Sequence, residues 1–179
     1  MRIIRFEDEQ GQIRYGFDRD VVRDGVAGNQ AELLKGDLYS GLEATNEKAA
    51  LVRLLAPVVP TNIFCIGRNY ADHIEEFDRD LPEYPILFFK NTASLNDPGA
   101  PIRIPGCQMK GPEVDYEGEL AAVIGKPARD VSEEEALDYV LGYTVSNDIS
   151  ARAGKFRVAG ASGAEEKGSI RSAHWDHRC

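Results

Sequence analysis

The stretch Asp115-Tyr116-Glu117-Gly118-Glu119-Leu120-Ala121-Ala122-Val123-Ile124 decides how the chain is read. Successive side chains of an extended chain point to opposite faces, so Glu117, Glu119, Ala121 and Val123 share one face. Two carboxylates then lie on an apolar-leaning surface. At low dielectric they repel one another, so one must take a proton or both must bind a cation. A hard divalent ion is the simplest solution, although an edge strand with two solvated glutamates has the same pattern.

Working outward from this segment, Ile63-Phe64-Cys65-Ile66, Pro85 to Phe89, Leu120 to Ile124 and Tyr139 to Val145 read as further strands. A helix is expected over Asn69 to Phe77, and a short capped one at Ser132-Glu133-Glu134-Glu135. Strands with few helices and no regular βαβα rhythm predict an α+β domain. Residues 1–58 form a small leading module. In it Ile3 and Ile4 pair with Ile13, Tyr15 and Phe17 across the turn Glu9-Gln10-Gly11-Gln12, and Glu47 to Leu55 is expected to be a short helix. Pro57 and Pro60 mark a linker.

The bulk properties narrow the function classes. A chain of 179 residues can bury a core without disulfides, and its three cysteines show no paired spacing. A net charge of -9 disfavours nucleic acid and anionic membrane as partners. The N-terminus lacks the apolar run of a signal peptide, and no segment approaches the roughly 20 apolar residues of a membrane helix. A cytoplasmic setting is expected.

Three further features bear on chemistry. Asp148, in Asn147-Asp148-Ile149-Ser150-Ala151-Arg152, offers a third carboxylate after a strand, or simply a turn-forming Asx residue. An all-oxygen donor set favours Mg²⁺, with Mn²⁺ or Ca²⁺ as alternatives. His73 and Glu76 stand three apart, so a helix places them on one face. There they form either an exposed ion pair or an imidazole oriented to deprotonate water.

The ordered set Gly67-Arg68-Asn69-Tyr70-Ala71-Asp72-His73, Phe88-Phe89-Lys90, Asp115 to Leu120 and Asn147 to Arg152 resembles the fumarylacetoacetate hydrolase family. The resemblance implies that family's mixed β-sheet roll over residues 61–152, preceded by the small N-terminal domain its bacterial members carry. It further implies Glu117, Glu119 and Asp148 as metal ligands and His73 with Glu76 as the water-activating pair. Arg152 and Lys90 match positions near the substrate carboxylate. The implied substrates are 2-oxo or 1,3-dicarbonyl acids undergoing carbon–carbon hydrolysis, decarboxylation or isomerisation of a 2-hydroxy-diene-dioate. A homodimer is the implied assembly.

After Arg152 the family pattern continues Asp-Trp-Gln and later KGLDSFCPLGP, whereas this chain has Ala153-Gly154-Lys155 and ends Lys167-Gly168-Ser169-Ile170-Arg171-Ser172-Ala173-His174-Trp175-Asp176-His177-Arg178-Cys179. A back-translation of the tail with synonymous codons chosen to fit, shifted by one base, encodes GLDSFCPLGP. Removing one base from an Asp-Trp-Gln coding run gives Ala-Gly-Lys. Residues 153–179 are therefore expected to be an out-of-frame tail, and its His174, His177 and Cys179 no metal site. The rival expectation is a non-catalytic remnant that binds metal or homologous subunits without turnover.

Overall fold

The computed structural model describes residues 2–18, 22–23, 26–27, 30–71, 74, 82–104, 114–151 and 171–176. The leading module begins with β1 (Ile3–Asp8) and β2 (Ile13–Phe17), paired antiparallel from Ile3↔Phe17 to Glu7↔Ile13. A short backbone ribbon, β3 (Val22–Arg23) with β4 (Val26–Ala27), follows. Next come β5 (Gln30–Asp37) and the long β6 (Gly41–Leu55).

β6 pairs with β5 through Gly41 to Ala50 and with β1 through Leu51 to Leu55. One strand thus closes β1, β2, β5 and β6 into a barrel without free edges. The helix expected over Glu47 to Leu55 is not formed. Its Glu, Lys, Ala and Leu favour a helix locally, but ladder pairing on both sides of β6 and burial of Leu55 override that preference. Ile4, Phe6 and Ala31 form the barrel core, with Leu33, Ala49, Leu51 and Leu54 against it.

The inward alternation of β1 also buries Asp8. Its carboxylate accepts the Gln10 and Gln12 amides at 3.0 and 2.8 Å and Arg14 Nε at 3.1 Å, which fixes the β1–β2 turn. Burial alone raises this carboxyl, but the Gln12 amide, the Arg14 guanidinium and the Gln10 amide outweigh it and hold the pKa below the ordinary 3.8. A depressed carboxyl stabilises the fold above its unfolded value, and that contribution is lost as pH falls through the folded one. Asp8→Asn should therefore lower Tm near neutral pH, with the gap to the parent closing below about pH 4. Thermal melts across pH check this, and a gap independent of pH would refute it.

The second part has β7 (Ile63–Gly67) paired with β8 (Ile86–Lys90), and the short β9 (Val114–Asp115) with β10 (Gly118–Ile124) laid along β11 (Val140–Ala151). The backbone of β12 (Arg171–Asp176) pairs on β11's other side. Ser132 to Glu135 is turn rather than capped helix. Ser132 Oγ bonds the Glu135 carboxylate at 3.0 Å instead of capping a backbone amide, and a 3-10 helix, Ala136–Tyr139, follows. Of the helix expected over Asn69 to Phe77, Ala71 and Ile74 are helical, with the Ile74 amide donating to Tyr70 O at 3.1 Å.

Strands dominate with few helices, which agrees with a β-rich α+β fold behind a small N-terminal domain. No helix among the described residues is long and apolar enough to cross a membrane, which says nothing of membrane β-barrels. The segment joining the two parts positions β10. Ala56 and Val58 are buried against Ala121 and Val123 of that strand. Asp97 accepts the Ala56 amide at 2.9 Å and pairs with Arg53 at 2.9 Å, and Arg53 also grips Glu7 of β1 at 2.8 Å.

Candidate functional site

β10 has a two-faced pattern, with Leu120, Ala122 and Ile124 exposed and Glu119, Ala121 and Val123 turned inward. Ala121 and Val123 seat that inner face on the linker, so Glu119, next in the alternation, reaches a cavity of about 500 Å³ between β7 and β10. Asn69, Tyr70, Lys90, Ser146 and Asp148 line the same cavity. Tyr70 braces it: its hydroxyl accepts the Leu120 amide at 2.9 Å, tying the segment that precedes His73 to β10.

Glu117 lies in the interruption between β9 and β10. Asp115 pairs with Ser150 and Gly118 with Asn147, three residues further along each strand, so one register spans the interruption. That register sets Glu117 opposite Asp148 and Glu119 opposite Ser146, on one face of the sheet. The Asp148 amide donates to Glu117 O at 2.7 Å, and the Glu117 amide donates to Asn147 Oδ1 at 3.0 Å. Glu117 Oε1 is fully enclosed.

Asp148 is 3% exposed and Lys90 6%, and the Lys90 ammonium contacts Asp148 Oδ1. Inward placement of Lys90 follows from the alternation of β8, whose Phe89 faces out and packs at a tilt against Phe64, ring centroids 4.9 Å apart. Ser150, 2% exposed, closes the other side, its hydroxyl 3.4 Å from Asp148 O.

The expected residues thus divide. Glu119, Asp148 and Lys90 meet around one cavity, and Glu117 is held beside Asp148 through the backbone. His73, Glu76 and Arg152 lie outside the described residues. Tyr70, Asn147 and Ser150 had no role in the sequence reading, although all three fall inside its motifs. The oxygen donors suit a hard divalent cation. Among the described residues, however, no three His, Cys, Asp or Glu side chains are gathered closely enough to hold an ion. The cation beside Asp148 is the lysine.

Known proteins resemble this chain in sequence and in fold. Residues 62–173 match the family model described as fumarylacetoacetate (FAA) hydrolase C-terminal, and residues 1–57 match one described as Rv2993c-like, N-terminal. Over 102 residues the chain is 49% identical to the Xenopus laevis protein named oxaloacetate tautomerase fahd2, mitochondrial, covering 56% of this chain and 31% of that protein. Over 108 residues it is 46% identical to caffeoylpyruvate hydrolase of Neonothopanus nambi, covering 59% and 37%. The crystal structure of 5-carboxymethyl-2-hydroxymuconate delta-isomerase from Mycobacterium smegmatis superposes with a TM-score of 0.72 at 30% identity, covering 99% of this chain and 65% of that one. The chain spans about a third of the length of these curated relatives and about two thirds of the solved one.

Proposed function

The chain belongs to the fumarylacetoacetate hydrolase family, and from that premise we propose that it carries a divalent-metal site acting on 2-oxo or 1,3-dicarbonyl acids. The observation that carries this reading is the convergence of Glu119, Asp148 and Lys90 on one cavity, with Glu117 set opposite Asp148. The tautomerase, hydrolase and isomerase named above act on acids that can enolise beside a carbonyl, so stabilising negative charge on that oxygen is their shared demand.

Glu117, Glu119 and Asp148 would hold the ion. When bound, a divalent cation, Mg²⁺ by donor type with Mn²⁺ or Ca²⁺ as substitutes, supplies Lewis-acid stabilisation of the enolate or oxyanion. Lys90 fixes the Asp148 carboxylate and, with Arg152, presents positive charge to the substrate carboxylate. His73 and Glu76 would serve as the water-activating pair, since an imidazole whose other nitrogen is held by a carboxylate can take a proton from water. Burial of Lys90 and Asp148 keeps these charges in a low-dielectric setting where their fields act strongly. The same reading carries a cytoplasmic homodimer that binds a small oxo acid and neither nucleic acid nor membrane.

A Mn²⁺ or Mg²⁺ titration followed by melting and by acylpyruvate turnover tests the proposal. Tm should rise with metal and fall back with chelator, because a ligand that binds only the folded state stabilises it. Product should form only with metal present. An unchanged Tm would defeat the metal site. Stabilisation without turnover would favour the remnant, the reading that the departure from the family pattern after Arg152 supports. Sequencing the gene decides the tail directly, since a frame change at residue 153 requires a coding run for Asp-Trp-Gln one base out of register.

A further inference from the structure

We propose that the Tyr70 hydroxyl binds substrate, donating its proton to the carboxylate of a 2-oxo acid held in the cavity. The inference rests on the oxo-acid reading above, adds a residue to it and requires no metal contact. Tyr70 lines the same cavity as Lys90, Glu119 and Asp148. Those three are the charged side chains of its described lining, and the Lys90 ammonium already contacts Asp148. Two carboxylates and one ammonium leave that lining net negative, so charge alone does not draw an anion in. A neutral donor fixed in direction supplies what net charge does not.

Tyr70 carries such a donor. β10 pairs with β11 on one side, where Leu120 stands opposite Val145, and with no described strand on the other. The Leu120 amide leaves the ladder and donates to Tyr70 Oη at 2.9 Å. A phenolic hydroxyl both accepts and donates. The amide takes its accepting side, and that is the one hydrogen bond this hydroxyl makes among the described residues. Its proton therefore has no described acceptor, while its oxygen is pinned one residue along β10 from Glu119. The amide also polarises the hydroxyl, because hydrogen bonds in a chain strengthen one another. Tyr70 is exposed rather than packed away, so a ligand in the cavity reaches it.

The test titrates isotope-labelled protein with pyruvate and with its uncharged methyl ester, Mg²⁺ present throughout, and compares the parent with Tyr70→Phe by nuclear magnetic resonance. A hydrogen bond to a charged acceptor is the stronger kind, so Tyr70→Phe should weaken pyruvate binding by about tenfold or more and ester binding by less than about threefold. Equal weakening of both would mean that the hydroxyl only braces β10, which overturns the proposal. In the parent, the Leu120 amide proton should also move downfield as pyruvate binds, since donation makes the Tyr70 oxygen a better acceptor. A stationary Leu120 resonance overturns the proposal even where Tyr70→Phe does not fold. A parent that binds neither compound defeats the oxo-acid reading together with the proposal, whereas unchanged pyruvate affinity in Tyr70→Phe, beside a binding parent, defeats the role of Tyr70 alone.

Discussion

Lys90→Met should destabilise the folded chain by about 3–5 kcal/mol, the cost typical of breaking a buried ion pair from one side. Lys90 and Asp148 are 6% and 3% exposed, so the carboxylate left behind keeps little access to water, whatever else it touches. An exposed pair of the same composition would be worth about 0–1 kcal/mol, so the two cases separate in one urea denaturation. Lys90→Met with Asp148→Leu should recover much of the loss, because replacing both charges removes the desolvation penalty along with the attraction. A single-variant loss under about 1 kcal/mol would mean that water reaches Asp148 in solution. Mn²⁺ should partly rescue Lys90→Met, since a divalent ion brings positive charge to the same carboxylate.

Most strands were legible because their signals are local. Ile63 to Ile66, Pro85 to Phe89 and Leu120 to Ile124 are short apolar runs bounded by Gly, Pro or polar residues, and each appears within a residue or two of its expected place. β6 was misread for the opposite reason. Its second half is written in helix-favouring residues, and only pairing with the preceding β5 up to Ala50 and with the distant β1 beyond it makes it a strand. Ser132 to Glu135 has the letters of a capping box, but only a 3-10 turn follows it, so the serine and glutamate bond each other.

The site shows the same division. Alternation along β10 suffices to put Glu119 with Ala121 and Val123, and the structure keeps that face. No spacing rule announces that Lys90 meets Asp148, 58 residues later. Lys90 was read as a substrate contact from resemblance alone, and in the structure its buried ammonium pairs with Asp148. Asn147 was invisible for a related reason. Its side chain takes the Glu117 amide at 3.0 Å, and the register that brings the two together exists only once β9, β10 and β11 are aligned.

Phe6→Ala should cost about 3–5 kcal/mol, the range for removing a fully buried aromatic side chain. Phe6 is 0% exposed and packs with Ile4 and Ala31 at the centre of the closed barrel. Little room exists for the barrel to collapse around the gap. A Cβ built on Gly16 of β2 would lie only 3.0 Å from the Phe6 ring and from Ala31, so the ring already reaches the opposite backbone. Closure of β1, β2, β5 and β6 leaves no free edge that could slide inward to compensate. Equilibrium denaturation followed by far-ultraviolet circular dichroism gives the loss, and a value under about 1.5 kcal/mol would mean the barrel yields as a volume-conserving swap does. The same variant, measured at a temperature where it stays folded, should bind Mn²⁺ like the parent, because Phe6 packs within the barrel cluster and supplies nothing to the cavity. Loss of both stability and affinity would show that the tie from Arg53 through Asp97 to Ala56 transmits barrel geometry to the strand that bears Glu119.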